Sequence, residues 1–296
     1  MQQQIAPIPP ITPMVRAYRG RFHSAKVPSC VIAPSDLRRL YRDLETRTME
    51  ALDRFMSEWQ FTGEIATRIR QEAHLTVTIH GADGEQIVEH SEAALADSAL
   101  PERLRLVAYD SAAAVQLMNL NQALPLNRFR VLLDFNEPPR FDSYNPWSQP
   151  TPNTSFIEVI GNDETWVTGV YQFIRQFFEA PGRQRRHRAW LHRQRTFNIG
   201  NWLIGFPAGL WIVYRVGYYF PVLNEMHPAL LGAVYVYVFL FVLLLFRGAV
   251  WLMRWLFPVI ELAESRSRGI RLFLSSILLG LFVALLYDVL KAFVLH

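Results

Sequence analysis

Hydrophobic and polar positions follow two rhythms along the first 180 residues. Leu37, Leu40, Tyr41, Leu44, Thr48, Leu52, Phe55 and Met56 fall three or four apart, the spacing of an amphipathic helix. Pro34-Ser35-Asp36 opens that helix, with Ser35 or Asp36 as its cap. After a break near Gly63 it continues to about Ala73. Period two then takes over. Leu75–Ile79 alternates, Gly81-Ala82-Asp83-Gly84 turns, and Glu85–Glu89 returns, which reads as a hairpin. Strand signals recur at Arg103–Tyr109, Arg128–Phe135 and Ser155–Ile160, and a β-rich run, Val27–Ile32, lies within Phe22–Ala33. Pro138–Pro152 is dense in turn formers and reads as a loop. Asp163 caps a second helix whose Trp166, Val170, Phe173, Ile174, Phe177 and Phe178 share a face, and Pro181-Gly182 ends or kinks it. The order β-α-β-β-β-β-β-α predicts an α+β domain over residues 21–180, with a mixed or antiparallel sheet and helices on one face. Roughly 160 residues is enough for one self-supporting core. No internal repeat and no coiled-coil heptad is present.

Beyond residue 197 the pattern changes to long apolar runs, about 198–220, 228–257 and 270–295. Each has the ~20 residues that a helix needs to cross the hydrocarbon of a bilayer. The second contains Leu230–Phe246 without a single charge. Gly200, Gly205, Pro207, Gly209 and Arg215 interrupt the first, so its alternative is an interfacial or re-entrant helix. The expected architecture is therefore a mobile Pro-rich tail (1–20), the α+β domain (21–180), a basic juxtamembrane segment (181–197) and an α-helical transmembrane region of three helices (198–296). The opening MQQQIAPIPPITP lacks the basic region and apolar stretch of a signal peptide.

Charge adds direction. Residues 1–180 carry 17 basic and 22 acidic side chains, and residues 181–296 carry 13 and 4. Arg183, Arg185, Arg186, Arg188, Arg193 and Arg195 precede the first apolar run. Arg254, Arg266, Arg268 and Arg271 lie between the second and third, whereas the first connection holds only Glu225. With three spans, both basic flanks fall on one side, so the large domain is expected in the cytoplasm and the C-terminus outside. Trp190, Trp202, Tyr218, Tyr219, Trp251 and Trp255 stand where an aromatic belt would place them. The six-arginine segment with Trp190 suits anionic lipid headgroups, at ~1 kcal/mol per basic residue. Its position beside a span, and the acidic domain before it, favour that partner over nucleic acid. Two Lys against 28 Arg hint at a GC-rich genome, which fits a bacterial inner membrane.

Chemistry is harder to find. No phosphate-binding Gly-rich loop is present, and no nucleophile elbow. A lone cysteine, Cys30, excludes a disulfide-stapled fold and reads as a buried thiol. Neither the spacing of His74, His80 and His90 nor that of His187 and His192 fits a metal motif. No cofactor and no metal is expected. Asp134, at a strand end, is the most interesting carboxylate, beside Asp110, Asp142 and Glu158. Within the apolar runs, Ser276, Gly280, Ala284 and Asp288 recur every four residues, and Gly205 and Gly209 form a G-x-x-x-G pattern. Small stripes let helices approach closely. They serve either as packing within one bundle or as an oligomer seam lining a path. Arg215 and Asp288 would share a depth and could pair, and Arg247 can snorkel to the inner interface.

Three functions are compatible with this pattern. The first is a membrane-tethered sensing or protein-interaction module with a cytoplasmic protein partner. The second is a homo-oligomeric membrane-permeabilising effector of bacterial antiphage defence. The third is a membrane-bound enzyme with a site near Asp134 and the loop through Trp147.

Overall fold

The computed structural model describes residues 20–96, 98–118, 125–135, 153–220, 223, 225–263, 269–277 and 280. They form two units. The first draws on 20–27, 33–134 and 154–180; the second draws on 28–32 and the residues from 181 onward.

In chain order the first unit contains β1 (Arg21–Lys26), α1 (Pro34–Glu58), α2 (Gly63–Glu72), β3 (Thr76–Gly81), β4 (Gln86–Glu89), β5 (Leu104–Asp110), α3 (Ala113–Leu117), β6 (Arg128–Asp134), β7 (Phe156–Gly161) and α4 (Glu164–Glu179). Between β1 and α1 the short β2 (Cys30–Ile32) departs to the second unit. The six strands form one sheet in the order β1-β7-β6-β5-β3-β4, and every pairing in it is antiparallel. Cross-strand register puts Ile79, Val107 and Leu133 in one row. Val77, Tyr109, Val131 and Ile157 make the next. All seven are buried, so this face is the core.

The helices cover that face. Tyr109 Oη donates to the Leu37 carbonyl of α1 at 3.1 Å, and Trp166 of α4 packs on Phe129 with ring centroids 6.5 Å apart. Every residue of the expected α1 stripe is buried, and the Thr48 hydroxyl is satisfied by the Leu44 carbonyl at 3.0 Å. The cap lies slightly earlier than Ser35. Ala33 is the capping residue, and Pro34 occupies the first turn, where its missing N–H has no partner to lose. Asp36 reaches back to accept the Ala33 N–H at 3.1 Å. At the β3–β4 turn Gly84 has φ of +86°, a conformation that a Cβ would strain.

The second unit holds β2, α5 (Arg186–Leu191), α6 (Gln194–Gly200), a π turn (Asn201–Gly205), α7 (Phe206–Tyr219), α8 (Pro228–Leu256) and β8 (Ile260–Leu262). Helix is unbroken from Gln194 to Tyr219, so the first apolar run is helical before residue 198. The π turn ends two residues before Pro207. Proline has no N–H for the preceding turn and its ring crowds the carbonyl four residues back, so a widened turn accommodates it. Among the described residues one helix, the 29-residue α8, is long and apolar enough to cross a membrane. Of the third apolar run, 270–277 and 280 are helical, and the rest lies outside the described residues.

Val27–Ile32 does not act as one strand. Its end, β2, pairs in parallel with β8, Cys30 opposite Ile260 and Ile32 opposite Leu262. Hydrophobic periodicity marks the segment as extended but carries no information about a partner 230 residues away.

Asp163 caps α4 as its position suggests. Its Oδ1 accepts the N–H groups of Thr165 at 2.9 Å and Trp166 at 3.2 Å, and its Oδ2 meets the Arg54 guanidinium. Arg54 first, then the Trp166 N–H, hold this carboxyl below the usual carboxylate range. We expect Asp163→Ala to cost about 1 kcal/mol in denaturant unfolding at pH 7. A depressed folded pKa stabilises above the unfolded value of about 3.9 and stops doing so as pH falls through the folded value. The difference between wild type and variant should therefore shrink below pH ~4.

Candidate functional site

The residues singled out from the sequence for a membrane role belong to the second unit, where α6, the π turn and α7 run along α8 as an antiparallel hairpin. Glycines make the approach. A Cβ on Gly209 would lie 2.7 Å from the Phe239 ring, and one on Gly205 would lie 3.3 Å from Phe246. A Cβ on Gly217 would sit 2.7 Å from the Tyr235 hydroxyl. Phe206 meets Phe239 edge to face, with centroids 5.4 Å apart. The G-x-x-x-G pattern thus seats aromatic rings of the same chain's α8, the small-into-large packing that brings helices close. The outward faces are apolar and bare: Trp202, Leu203, Trp211, Tyr214, Tyr237 and Phe241 are all exposed.

Arg215 stands on that outer surface between two rings of its own helix. Its guanidinium is 5.1 Å from the Trp211 centroid and 5.8 Å from that of Tyr219. Spacing of four residues on either side makes this cation–π bracket. Ser276 is exposed, with its hydroxyl donating to the Leu272 carbonyl at 3.0 Å. A Cβ on Gly280 would meet nothing within 4 Å among the described residues. Ala284 and Asp288 lie outside the described residues.

At the other end of the hairpin a set of buried polar groups ties its chain segments together. Arg188 Nη1 contacts Glu261 Oε2 at 2.7 Å, and Arg271 Nη1 lies 3.9 Å from Glu261 Oε1. The Glu261 side chain is 3% exposed and the two arginines 11% and 6%, so water screens this triad little. Two further bonds cross-tie the ends of α5 and α8. His192 Nε2–H donates to the Phe257 carbonyl at 2.6 Å, and Arg254 Nε donates to the Leu191 carbonyl at 3.2 Å. Residues 28–32 are laced to the same place. The Ser29 hydroxyl donates to the Val259 carbonyl at 2.8 Å, Val31 N–H to Arg183 O at 3.0 Å, and Arg185 N–H to Ser29 O at 2.8 Å.

The six-arginine segment therefore divides. Arg193, Arg195 and Trp190 are exposed and present charge and an indole outward. Arg188 is turned inward onto Glu261, where it is not available to headgroups. Arg183 and Arg185 take part through their backbones, and Arg186 lies in α5. Sequence reasoning passed over Glu261 and the Ser29 hydroxyl, weighed Arg271 only as flanking charge, and weighed His192 only against a metal motif. Glu261 had one legible signal, an acid flanked by Ile260 and Leu262 just after a span and close to a basic stretch.

The candidates for catalysis are occupied structurally. Asp134 is 4% exposed, and its Oδ2 accepts both the N–H and the hydroxyl of Thr154, at 2.9 and 2.8 Å. Its own N–H donates to the Ser155 hydroxyl at 2.7 Å. That arrangement fastens the end of β6 to the start of β7. Asp142 and Trp147 lie outside the described residues. Cys30 is fully buried in β2. His74 pairs with Glu45 at 2.8 Å and His90 with the Thr76 hydroxyl at 3.2 Å. Among the described residues no group of three metal-ligating side chains converges.

Two outcomes test the buried polar groups. Glu261→Ala leaves two guanidiniums without their shared carboxylate, which should cost about 3–5 kcal/mol in thermal or denaturant unfolding of the detergent-solubilised chain. Burial, with Arg254 and Arg188 nearby, holds the His192 imidazole below its ordinary value of about 6.5. The unfolded chain then binds more protons than the folded one between the two values. Stability should fall as pH drops below about 6.5, and unfolding of His192→Gln should show a flatter pH dependence over the same range. No protein-family model, no curated protein and no solved structure matches the chain.

Proposed function

We propose that this chain is an integral membrane protein, anchored by the α6–α8 hairpin, whose α+β domain acts in the cytoplasm as a sensing or protein-interaction module. The observation that carries the anchor is α8. From Pro228 to Met253 only Val242 is buried by the protein, and a run of that length and composition is stable where hydrocarbon, not water, surrounds it. The exposed Trp202, Trp211, Tyr218 and Tyr219 on the partnering helix support the same surroundings. Exposed Arg193 and Arg195, with Trp190, favour an anionic leaflet on the side of the hairpin ends near Glu261, and the positive-inside rule then assigns that side to the cytoplasm.

The module half rests on the sheet. One face is closed by helices, and the other leaves Phe22 and Val88 more than two-fifths exposed, with charged side chains between them. Thr76, Ala108, Leu132 and Asp134 of that second face are buried, and its exposed remainder presents a surface suited to recognition.

Alkaline carbonate extraction of membranes from expressing bacteria should leave the chain in the pellet. In intact cells a membrane-impermeant maleimide should label a Glu225→Cys variant and spare an Asp83→Cys variant. Release by carbonate, or the reverse labelling, overturns the anchor and its orientation. Depolarisation of the cells on expression of the full chain alone would replace the module reading by a permeabilising one.

A further inference from the structure

The face of the sheet turned away from the helices carries an ordered row of charge. Register places Thr76, Asp110, Arg130, Glu158 and Ser24 side by side across β3, β5, β6, β7 and β1. One step along β6, Arg128 stands beside Ile160 of β7. Positions two apart on a strand share a face, so Arg128 and Arg130 point the same way, as do Glu158 and Ile160. Together with Asp110 and Gln116 they line a slot of about 180 Å³.

The charges in this slot are not equivalent. Asp110 is engaged: its Oδ1 accepts the Ala112 N–H at 2.9 Å, and its Oδ2 faces Arg130 Nε at 3.8 Å. Arg128 and Glu158 are both partly buried, and among the described residues neither forms an ion pair. They occupy diagonal positions on neighbouring strands, roughly 7–8 Å apart at the backbone, where two long side chains could meet. A guanidinium and a carboxylate therefore flank the slot from two sides without satisfying each other. The lining as a whole carries two positive and two negative groups. A bound anion or cation would leave excess charge in a half-enclosed place, whereas a neutral ligand with its own separated charges would not.

We propose that this slot binds a small zwitterionic amino acid, its carboxylate on Arg128 and its ammonium on Glu158. A guanidinium fork matches a carboxylate in two parallel hydrogen bonds, and the Glu158 oxygens accept from an ammonium. Ile160 and the buried Ala112 give a short aliphatic side chain an apolar wall. Drug-sized ligands occupy ~300–1,000 Å³, so 180 Å³ restricts the slot to a molecule the size of alanine. The proposal rests on the sensing half of the function above and not on the membrane anchor. The binding assay and the extraction assay therefore fail independently.

The test is titration calorimetry on the full chain in detergent, with L-alanine as the probe and acetate and methylammonium as single-charge controls. L-alanine should bind saturably, and each control at least about tenfold more weakly, because each lacks one charge-assisted contact. Arg128→Gln and Glu158→Gln should each weaken L-alanine by about tenfold or more with an unchanged unfolding transition. If Arg128→Gln fails to fold, the isosteric Glu158→Gln decides. Absence of L-alanine binding, acetate binding as tight as alanine, or a folded Glu158→Gln that binds as wild type would each overturn the proposal.

Discussion

Glu261 is the pivot of the second unit. A carboxylate at 3% exposure is expensive to desolvate, and it is tolerated because Arg188 meets it at 2.7 Å and Arg271 lies across from it. That requirement fixes where three segments end. Arg188 holds α5, Arg271 holds the helical turns that contain residues 269–277, and Glu261 itself holds the strand that follows α8. With β8 so placed, its edge is open to β2, and the Ser29 hydroxyl bonds beside it. A pair of this kind adds little net stability over a well-packed apolar replacement. What it does supply is position: ion-pair geometry tolerates few alternatives.

The hairpin above this point is held by a different physics. In the bilayer that we propose for it, the hydrophobic effect would not drive its helices together, so contact area and close approach would have to. Gly205, Gly209 and Gly217 provide the approach, and Phe246, Phe239 and Tyr235 provide the area. Each of these glycines faces an aromatic residue of α8, in antiparallel order along the two helices. Closing this seam within one chain leaves the bulky, exposed rings of Trp202, Trp211 and Tyr218 facing outward. Small-residue contact between copies at Gly205 and Gly209 would have to displace α8 first.

How much of this was legible depends on the range of each interaction. The α1 stripe and the Asp163 cap are written within a few residues, and both stand where periodicity and capping chemistry put them. The β3–β4 hairpin is equally local. The G-x-x-x-G pattern announced a close approach but not its partner, because the complementary feature is a set of phenylalanines in a uniformly apolar helix. The fate of β2, the pairing of Glu261 with Arg188 and the satisfaction of Asp134 by Thr154 were not legible. Each joins residues 20 to 230 positions apart, and nothing in local spacing distinguishes a buried ion-pair arginine from its exposed neighbours. Arg188 and Arg193 look alike in sequence and differ only in what the fold sets beside them.

The same reasoning separates the two faces of the sheet. On β6, Phe129, Val131 and Leu133 lie under the helices, and the intervening positions are Arg128, Arg130, Leu132 and Asp134, three charged and one apolar. Were this second face merely solvated, its charges would be expected to pair across strands, since neighbouring opposite charges stabilise a sheet by a few tenths of a kcal/mol at little cost. Asp110 and Arg130 approach that arrangement. Arg128 and Glu158 forgo it while partly shielded from water, where an unpaired charge is more costly than at a fully exposed site. A fold that places opposite charges within reach and leaves them apart is holding room between them: the register sets the backbone spacing, and side chains long enough to meet across it stay apart. The antiparallel strands beneath the slot, tied at one end by Asp134 and Thr154, hold that backbone spacing.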